Sequence, residues 1–424
     1  MKRVVIIGNG ISGITAAMHI RRMGGAEVTV VSSESPYFFS RTALMYVFMG
    51  HMTLRHTEPY AREMWDEWGI TRVQDEAVSL DIHRREVLLG SGSRLSYDNL
   101  ILATGSRPRR LDVTGENSDG VHTLYFRQDL EQIEATIGRN MKHAVIIGGG
   151  LLGAELAEML RSRGLFVSMI VREKHYWGNV LPPEESKIIE TRLSRYGVRL
   201  FLEESVISFL EDEGGHVSMV NTSSGLQLPC EMACVAIGVI PETALAAGTD
   251  IQVGTGFLVN SHFETTSKGI YAIGDCAERL DPAPGRPATE SMWYTGRRMG
   301  ECVARTICGQ RISCDDGVWF SSARFFDLEY SAYGKVSAGG EHSLFWSDDC
   351  HERCLRIQRG EGDVVSGIHA LGIRLRQEVC ERWIGSRMCV NRVVEELQQA
   401  RFDAEFSEHV FPSVIQSFRH QLAR

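Results

Sequence analysis

Three glycines near the start of the chain have the spacing of a phosphate-binding turn. Residues 8–13 read Gly-Asn-Gly-Ile-Ser-Gly, directly after the apolar run Val4–Ile7. Gly8 permits a tight turn, Gly10 lets backbone amides approach a pyrophosphate, and Gly13 lets the following helix pack closely on the strand. The N-terminus of that helix offers unpaired N–H groups and a positive dipole end to phosphates. The spacing therefore predicts a dinucleotide site at Gly8, Gly10, Ser12 and Gly13.

The elements that must position this turn are also readable. The apolar run at 4–7 is typical of a strand buried on both faces of a parallel sheet. Ile14, Ala17 and Met18 follow at the spacing of one helix face, and residues 28–31 supply the next strand. The segment is therefore a strand–turn–helix–strand unit with its glycines in the turn.

The same pattern occurs a second time. Gly148, Gly150 and Gly153 follow the apolar run 144–147, and Gly148 lies 140 residues after Gly8. Strand 167–171 comes after the second helix. A predicted apolar strand that ends at Gly238 is similar to an earlier predicted strand that ends at Thr104 and Gly105. The duplication predicts two dinucleotide-binding domains in one chain.

Three charged residues are candidates to complete the first site. Glu34 follows the second strand, where an acid can bind ribose hydroxyls, although a solvated loop acid is the alternative. Arg41 ends an aromatic loop and could place a cation on a pyrophosphate. Asp275 follows Gly274 at the end of a short apolar strand, where it could bind ribityl or ribose hydroxyls; a helix N-cap is a compatible role.

Composition narrows the class of protein. The length of 424 residues exceeds one ordinary core, and 43% apolar with 23% charged residues is typical of globular proteins. The net charge of -9 argues against nucleic acid as the main partner. No apolar run approaches the roughly 20 residues of a membrane span, and Lys2 and Arg3 leave no room for a signal peptide before the first strand. We therefore expect a cytoplasmic protein with no membrane span.

The ten cysteines show no spacing of a secreted disulfide framework, and none lies in residues 1–229. Most are therefore expected to be reduced and structural. An irregular C-terminal group lacks C-x-x-C pairs, so we interpret it as structural thiols and predict no metal site. A redox or metal role stays open for its members, Cys350, Cys354, Cys380 and Cys389.

Together these motifs resemble the pyridine nucleotide–disulfide oxidoreductase family of flavoproteins. The nearest branch is similar to ferredoxin and rubredoxin reductases, NADH oxidases and the flavoprotein part of nitrite reductases, over residues 1–380. The resemblance implies that the first glycine set binds FAD pyrophosphate, that Thr104 and Gly105 close over FAD, and that Gly274 and Asp275 hold the ribityl chain. It assigns the NAD(P)H site to Gly148, Gly150, Gly153 and Glu155.

The resemblance also gives roles to further residues. Arg41 lies in Phe39–Leu44, which is similar to the family's Y-x-R-x-x-L loop, whose arginine meets FAD phosphate. Glu290 with Ser291 matches an E-[ST] pair near the flavin–nicotinamide stack, and Tyr46 takes the place of a lysine that contacts flavin N5 in ferredoxin reductases. Glu290 and Tyr46 are therefore the candidate catalytic residues.

Departures from the family leave two questions open. The cysteines that disulfide reductases need early in the chain are missing, and Ser322 stands where ferredoxin reductases have a tryptophan, so the electron acceptor is open. At the end of the second domain's second strand, Glu173 suits the 2′-hydroxyl of NADH, whereas Arg172 or Lys174 suits the 2′-phosphate of NADPH.

The predicted fold is α/β, with two Rossmann-like dinucleotide-binding domains of the three-layer ββα type and a C-terminal α+β interface domain. The FAD-binding domain comprises 1–112 and 245–315, the NAD(P)H-binding domain 113–244 including Gly238, and the interface domain 316–424. The predicted function is an FAD-dependent NAD(P)H oxidoreductase that reduces a ferredoxin- or rubredoxin-type carrier. The alternatives are an oxidase that reduces oxygen or another small oxidant, and an NADH-sensing flavoprotein. A homodimer is a further possibility.

Overall fold

The computed structural model describes residues 1–137, 141–314, 317–403, 405 and 410–423. The chain divides into two compact units. Unit 1 comprises Met1–Arg109, Tyr125–Glu131 and Val239–Asp316, and unit 2 comprises Arg110–Leu124, Gln132–Gly238 and Gly317–Arg424. Among the described residues, no helix is long and apolar enough to cross a bilayer.

The strands, in chain order, are β1 (Lys2–Ile7), β2 (Ala26–Ser32), β3 (Ile70–Gln74), β4 (Ala77–Asp81), β5 (Glu86–Leu89), β6 (Arg94–Ser96), β7 (Asn99–Leu102), β8 (Ser106–Pro108), β9 (Val121–His122), β10 (His143–Ile147), β11 (Phe166–Val171), β12 (Val198–Leu202), β13 (Val206–Glu211), β14 (Val217–Thr222), β15 (Gln227–Pro229), β16 (Met232–Val235), β17 (Val239–Pro241), β18 (Phe257–Val259), β19 (Ile270–Ala272), β20 (Ala277–Arg279), β21 (Phe320–Phe325), β22 (Leu328–Gly334), β23 (Ser343–Ser347), β24 (Cys354–Arg359) and β25 (Val365–Leu371).

The α-helices are α1 (Ile11–Met23), α2 (Leu44–Phe48), α3 (Glu63–Glu67), α4 (Arg127–Thr136), α5 (Leu151–Ser162), α6 (Pro183–Arg195), α7 (Trp293–Ile307), α8 (Gln377–Gly385), α9 (Val390–Glu395) and α10 (Phe411–Leu422). Short 3-10 turns occur at Arg41–Ala43, Leu54–Thr57, Ala244–Ala246, Gly274–Cys276 and Leu397–Ala400.

Unit 1 is built on a five-stranded sheet in the order β19-β7-β1-β2-β3. Its central strand β1 pairs in parallel with β2 on one side and β7 on the other. The antiparallel sheet β4-β5-β6 contributes Leu80, Val87 and Leu89 to the same core as β1 and α1. A helix, a parallel sheet and a small antiparallel sheet therefore share one core, as the predicted ββα layering requires.

Unit 2 contains a second parallel sheet with the order β12-β11-β10-β16-β9, and the antiparallel sheet β13-β14-β15 packs on it. Strand β10 pairs with β11 and β16 as β1 pairs with β2 and β7. The C-terminal part is an antiparallel sheet, β21-β22-β25-β24-β23, whose core includes side chains of α8, α9 and α10. The predicted α/β fold with two Rossmann-like cores is confirmed, while the exact domain boundaries stay a prediction.

Candidate functional site

A cavity of about 700 Å³ lies in unit 1, at the carboxyl ends of its parallel strands. Ligands of open α/β sheets bind at this edge. The cavity brings together most of the residues predicted for the first site: Gly8, Gly10, Ser12, Glu34, Arg41, Thr104, Gly105, Gly274 and Asp275.

The three fingerprint glycines differ in what surrounds them. A Cβ on Gly8, whose φ is +108°, would lie 2.0 Å from the carbonyl oxygen of Ala103, and one on Gly13 would lie 2.1 Å from that of Gly8. A Cβ on Gly10 would meet nothing within 4 Å. Gly8 and Gly13 are therefore required by the packing of the fold, whereas Gly10 keeps the cavity wall free of a side chain.

Glu34 and Arg41 meet at the cavity wall. Two guanidinium nitrogens of Arg41 donate to the carboxylate of Glu34 at 3.0 and 2.6 Å. The backbone N–H of Arg127 donates to Glu34 at 2.7 Å, and Arg41 also donates to the carbonyl oxygen of Tyr125. The acid and the cation predicted separately therefore form one ion pair, held by the start of α4.

Asp275 belongs to a second polar group in the same cavity. The Ser106 hydroxyl donates to Asp275 at 2.6 Å, and the phenol oxygen of Tyr125 accepts the backbone N–H of Ser106 at 3.1 Å. Burial raises the pKa of Asp275, and the Ser106 hydrogen bond and the Arg41 charge oppose that shift. Burial and the Asp275 charge raise the pKa of Tyr125. Ser291 also forms a hydrogen bond with Asp275, and a carboxylate bound by two hydroxyls keeps acceptor capacity for further hydroxyls.

Sequence reasoning missed Ser106 and Tyr125. Tyr125 lies 84 residues from Arg41 in the chain, yet the Arg41 guanidinium sits 4.6 Å from the centroid of its ring. Nothing in the segment Leu124-Tyr125-Phe126 indicates this contact. For Ser106 the only signal in the sequence is its position directly after Thr104 and Gly105, which were predicted to close over the cofactor.

The two candidate catalytic residues are not among the residues that line this cavity. Glu290 is buried, and its carboxylate accepts hydrogen bonds from Arg286 at 2.5 and 2.6 Å and from Thr295 at 2.8 Å. Tyr46 lies in α2, with its ring centroid 6.1 Å from that of His51. Ser291, which follows Glu290, does line the cavity.

The glycines of the second fingerprint have the same surroundings as those of the first. A Cβ on Gly148 would lie 2.3 Å from the carbonyl oxygen of Ala236, one on Gly153 would lie 2.3 Å from that of Gly148, and one on Gly150 would meet nothing within 4 Å. The φ of Gly148 is +120°, close to that of Gly8. Unit 2 therefore has its own dinucleotide-type turn, with Gly150 as the position open to a ligand.

Glu155 lies one turn into α5, beyond this fingerprint. Burial raises the pKa of Glu155 to about 7, with a contribution from the negative charge of Glu158. The buried Tyr176 donates its hydroxyl to the carbonyl oxygen of Gly150 at 2.6 Å. Tyr176, another residue that sequence reasoning missed, thus holds the fingerprint turn from the loop after β11.

The residues predicted to read the ribose lie on that same loop. The Arg172 side chain is 80% exposed, and its guanidinium lies 3.2 Å from the Glu173 carboxylate. Gly238, with φ +98°, lies in the connection between β16 and β17, and a Cβ there would meet nothing within 4 Å. The structure thus keeps Arg172 and Glu173 side by side, both partly accessible.

The cysteines fall into two groups. Cys302 and Cys314 form a disulfide, and the other eight cysteines are free, in keeping with the expectation that most of the thiols are reduced. Within the described part of the chain no cluster of three or more His, Cys, Asp or Glu residues could hold a metal ion. Among the C-terminal thiols, Cys354 and Cys380 are buried while Cys350 and Cys389 are exposed.

Two Rossmann-like cores, each with a glycine fingerprint, define a class of proteins that bind two dinucleotides. The sequence model of the pyridine nucleotide-disulphide oxidoreductase family matches residues 2–294. The chain belongs to this family. It is an FAD-dependent oxidoreductase that uses NAD(P)H.

Curated relatives and a solved structure are similar over different lengths. The chain is 28% identical to the assimilatory nitrate reductase electron transfer subunit of Bacillus subtilis over 74% of its own length, but spans only 40% of that protein. It is 29% identical to the rubredoxin-NAD(+) reductase of Pseudomonas putida, over 72% of this chain and 80% of that one. The crystal structure of the ferredoxin reductase for the CYP199A2 system from Rhodopseudomonas palustris has a TM-score of 0.83 at 24% identity and covers 96% of this chain and 98% of that one. The structural similarity supports the fold.

Proposed function

We propose that the chain is a reductase that passes electrons from NAD(P)H to a ferredoxin- or rubredoxin-type carrier. The similarity to a rubredoxin-NAD(+) reductase over 80% of that protein's length carries the proposal. It is supported by the lack of cysteine in residues 1–229, since no early cysteine pair is available as an internal electron relay. When FAD is bound, it supplies the chemistry, accepting hydride from the nicotinamide and releasing electrons to the acceptor. The lack of a secreted disulfide framework in the cysteine spacing supports a cytoplasmic location, with the pair Cys302–Cys314 as an exception.

The polar groups of the unit 1 cavity suit the parts of FAD. We propose that Gly8–Ser12 and the N-terminus of α1 bind the pyrophosphate, with the Arg41 cation nearby. Glu34 would accept a hydrogen bond from the adenosine ribose, and Asp275 from the ribityl chain. The open space beside Gly10 is the observation that favours a bound group, because only an absent side chain leaves backbone amides accessible there.

We propose that Glu290 has a positioning role, in which it holds the segment of the cavity wall that contains Ser291. Because Arg286 and Thr295 already occupy its carboxylate, Glu290 fixes the segment that leads into α7 and presents Ser291 to the cavity. Tyr46 stays a candidate contact of the flavin ring. The predicted FAD-binding domain of 1–112 and 245–315 contains both residues.

The NAD(P)H-binding domain, 113–244, is proposed to hold the nucleotide at the second fingerprint. Gly150 leaves its pyrophosphate-binding turn open, and Tyr176 fixes that turn. Glu155, whose pKa of about 7 leaves it partly protonated at neutral pH, can donate or accept a hydrogen bond there.

Two substitutions on the ribose-binding loop test the nucleotide preference. Glu173 would accept the 2′-hydroxyl of NADH, whereas the exposed Arg172 would pair with the 2′-phosphate of NADPH. If NADH is the substrate, Glu173→Ala should raise KM for NADH by about tenfold and Arg172→Ala should change it little. If NADPH is the substrate, the two variants should exchange their effects.

The decisive experiment is anaerobic reduction with NADH or NADPH, followed by a chosen acceptor, with flavin absorbance recorded. The proposal expects the reduced flavin to persist for minutes in air and to be oxidised at once by a ferredoxin or rubredoxin. Reoxidation by air within a catalytic turnover, with peroxide or water formed, would contradict it and favour the oxidase. Persistent reduced flavin with every acceptor would favour the NADH-sensing alternative.

A further inference from the structure

Helix α7 buries one face and exposes the other. The small residues Gly296 and Gly300 bring it close to α1, and a Cβ on Gly300 would lie 2.5 Å from the carbonyl oxygen of Ser12. The exposed residues recur at helical spacing, so they form one continuous strip along the helix surface. We refer to this strip as the α7 face: Trp293, Tyr294, Arg297, Arg298 and Arg305.

The α7 face is basic although the whole chain carries a net charge of -9. Within helix α7 itself, the acid that accompanies its arginines is Glu301, which is partly exposed and pairs with Arg297 at 3.3 Å. Arg22 of α1 adds a further cation. Burial lowers the pKa of His19 on α1; the charge of Glu301 raises it, and the charges of Arg22, Arg305 and Arg297 lower it further. The arginines of α1 and α7 therefore lie close enough together for their positive charges to affect the same histidine.

The aromatic end of the α7 face adjoins the FAD cavity. Trp293 lines the cavity and is also 38% exposed, and its neighbour Tyr294 is 46% exposed. The ring centroids of the two lie 5.3 Å apart, and the Arg297 guanidinium lies 6.0 Å from the Trp293 centroid. Trp, Tyr and Arg are the residues that dominate binding energy at protein interfaces. A protein seated here would lie against the wall of the cofactor cavity.

We propose that the α7 face, with Arg22, is the docking surface for a small acidic iron–sulfur electron carrier. The proposal rests on the proposed function and names the surface that function would use. Positive charge on the face would steer an acidic partner and raise its association rate, while Trp293 and Tyr294 supply apolar contact area. One NADH reduces two molecules of a one-electron carrier and yields NAD⁺ and one proton, so electrons and charge balance.

The test compares reduction of an acidic [2Fe–2S] ferredoxin with reduction of menadione, a neutral quinone that needs no docking surface. The test variant is Arg297→Glu/Arg305→Glu. The matched control is Arg84→Glu, which reverses a charge on a side chain that is 76% exposed in the β4–β5 turn of the same unit. We expect the test variant to lower kcat/KM for ferredoxin by at least about tenfold and to weaken its salt dependence. Menadione reduction and flavin content should be unchanged in both variants.

Three other results would overturn the proposal. Equal ferredoxin reduction by the Arg297→Glu/Arg305→Glu and Arg84→Glu variants would place docking elsewhere. Menadione reduction by the wild type without reduction of any acidic ferredoxin would reject the docking surface and leave the flavoprotein assignment standing. Failure of NADH and NADPH to reduce either acceptor would reject the proposed function and the docking surface with it.

Discussion

Two glycines of the first fingerprint, Gly10 and Gly13, are needed for different reasons, and substitution should separate the effect on FAD binding from the effect on stability. Gly13→Ala places a Cβ 2.1 Å from the carbonyl oxygen of Gly8, so we expect it to destabilise the fold by about 3 kcal/mol or more. Gly10→Ala meets nothing within 4 Å, so the protein should fold normally but bind FAD at least about tenfold more weakly. Thermal unfolding and flavin content measure the two effects. Normal FAD affinity in Gly10→Ala would contradict the role assigned to Gly10.

Glu155 should make stability depend on pH. Its pKa is raised by burial from 4.5 to about 7, so the folded state binds the proton more tightly than the unfolded chain. The stabilisation from the protonated form is present below about pH 4.5 and is lost as pH rises through about 7, by an amount on the order of 3 kcal/mol. Urea unfolding at several pH values without nucleotide would measure this loss. Glu155→Gln should flatten the profile over that range; an unchanged profile would assign the pH dependence to another group.

At the residue scale, the sequence was sufficient wherever a steric rule applies. Gly8 and Gly13 were predictable because the packing of strand, turn and helix leaves no room for a side chain at those positions. Gly10 was predictable because a bound phosphate needs open space at that position of the turn. The contact of Tyr125 with Arg41 was not, because nothing local in the sequence specifies which distant side chain will fill a cavity wall. Pairing of Glu34 with Arg41 was hidden for the same reason, although each was predicted to face the ligand.

A buried ion pair joins two elements of unit 2. Arg356 on β24 is 2% exposed, and it donates to Glu185 on α6 at 2.6 and 2.9 Å and to Glu184 at 2.9 Å. Burial raises the pKa of Glu185, and the Arg356 hydrogen bond and charge lower it. Removal of the arginine would leave a buried carboxylate without its cation, which is costly in a low-dielectric interior.

We therefore expect Arg356→Met to lower the free energy of unfolding by about 3–5 kcal/mol. The control is Arg359→Met on the same strand, where an exposed pair with Asp363 at 2.6 Å should contribute less than about 1 kcal/mol. Addition of Glu185→Leu to Arg356→Met should recover part of the loss, because an apolar pair replaces the isolated acid. Equal losses in Arg356→Met and Arg359→Met, measured by urea unfolding, would contradict this account.

At the element scale, periodicity predicted the strands and helices that surround each fingerprint. The continuous apolar runs at 4–7 and 144–147 became the central strands β1 and β10, because both faces of a parallel sheet are covered. The ion pair between α6 and β24 could not be predicted, since it joins residues 171 positions apart.

For the molecule as a whole, duplication of the dinucleotide unit was the strongest signal in the sequence, because two matching sets of steric constraints rarely arise by chance. The choice of electron acceptor was not readable. It depends on surface charge and on which cations share a face, and the combination of the α7 face with Arg22 emerges only when helices α1 and α7 pack together. A net charge of -9 by itself suggests the opposite sign of surface.

The assignment of FAD to unit 1 and of NAD(P)H to unit 2 predicts separate patterns of hydrogen exchange. A ligand that binds only the native state stabilises it by about 2.7 kcal/mol at a hundredfold excess over Kd, and amides that open locally near the ligand are protected most. Removal of FAD should therefore speed exchange at residues 4–13, 101–105 and 273–276, which line or adjoin the unit 1 cavity. NAD⁺ added to the FAD-bound protein should slow exchange at residues 147–153 and 171–176. Helix α8 in the core of the C-terminal sheet is the internal control and should respond to neither ligand. If FAD removal deprotected 147–153 as strongly as 4–13, the two sites would not be separate, and the division of labour between the two fingerprints would be wrong.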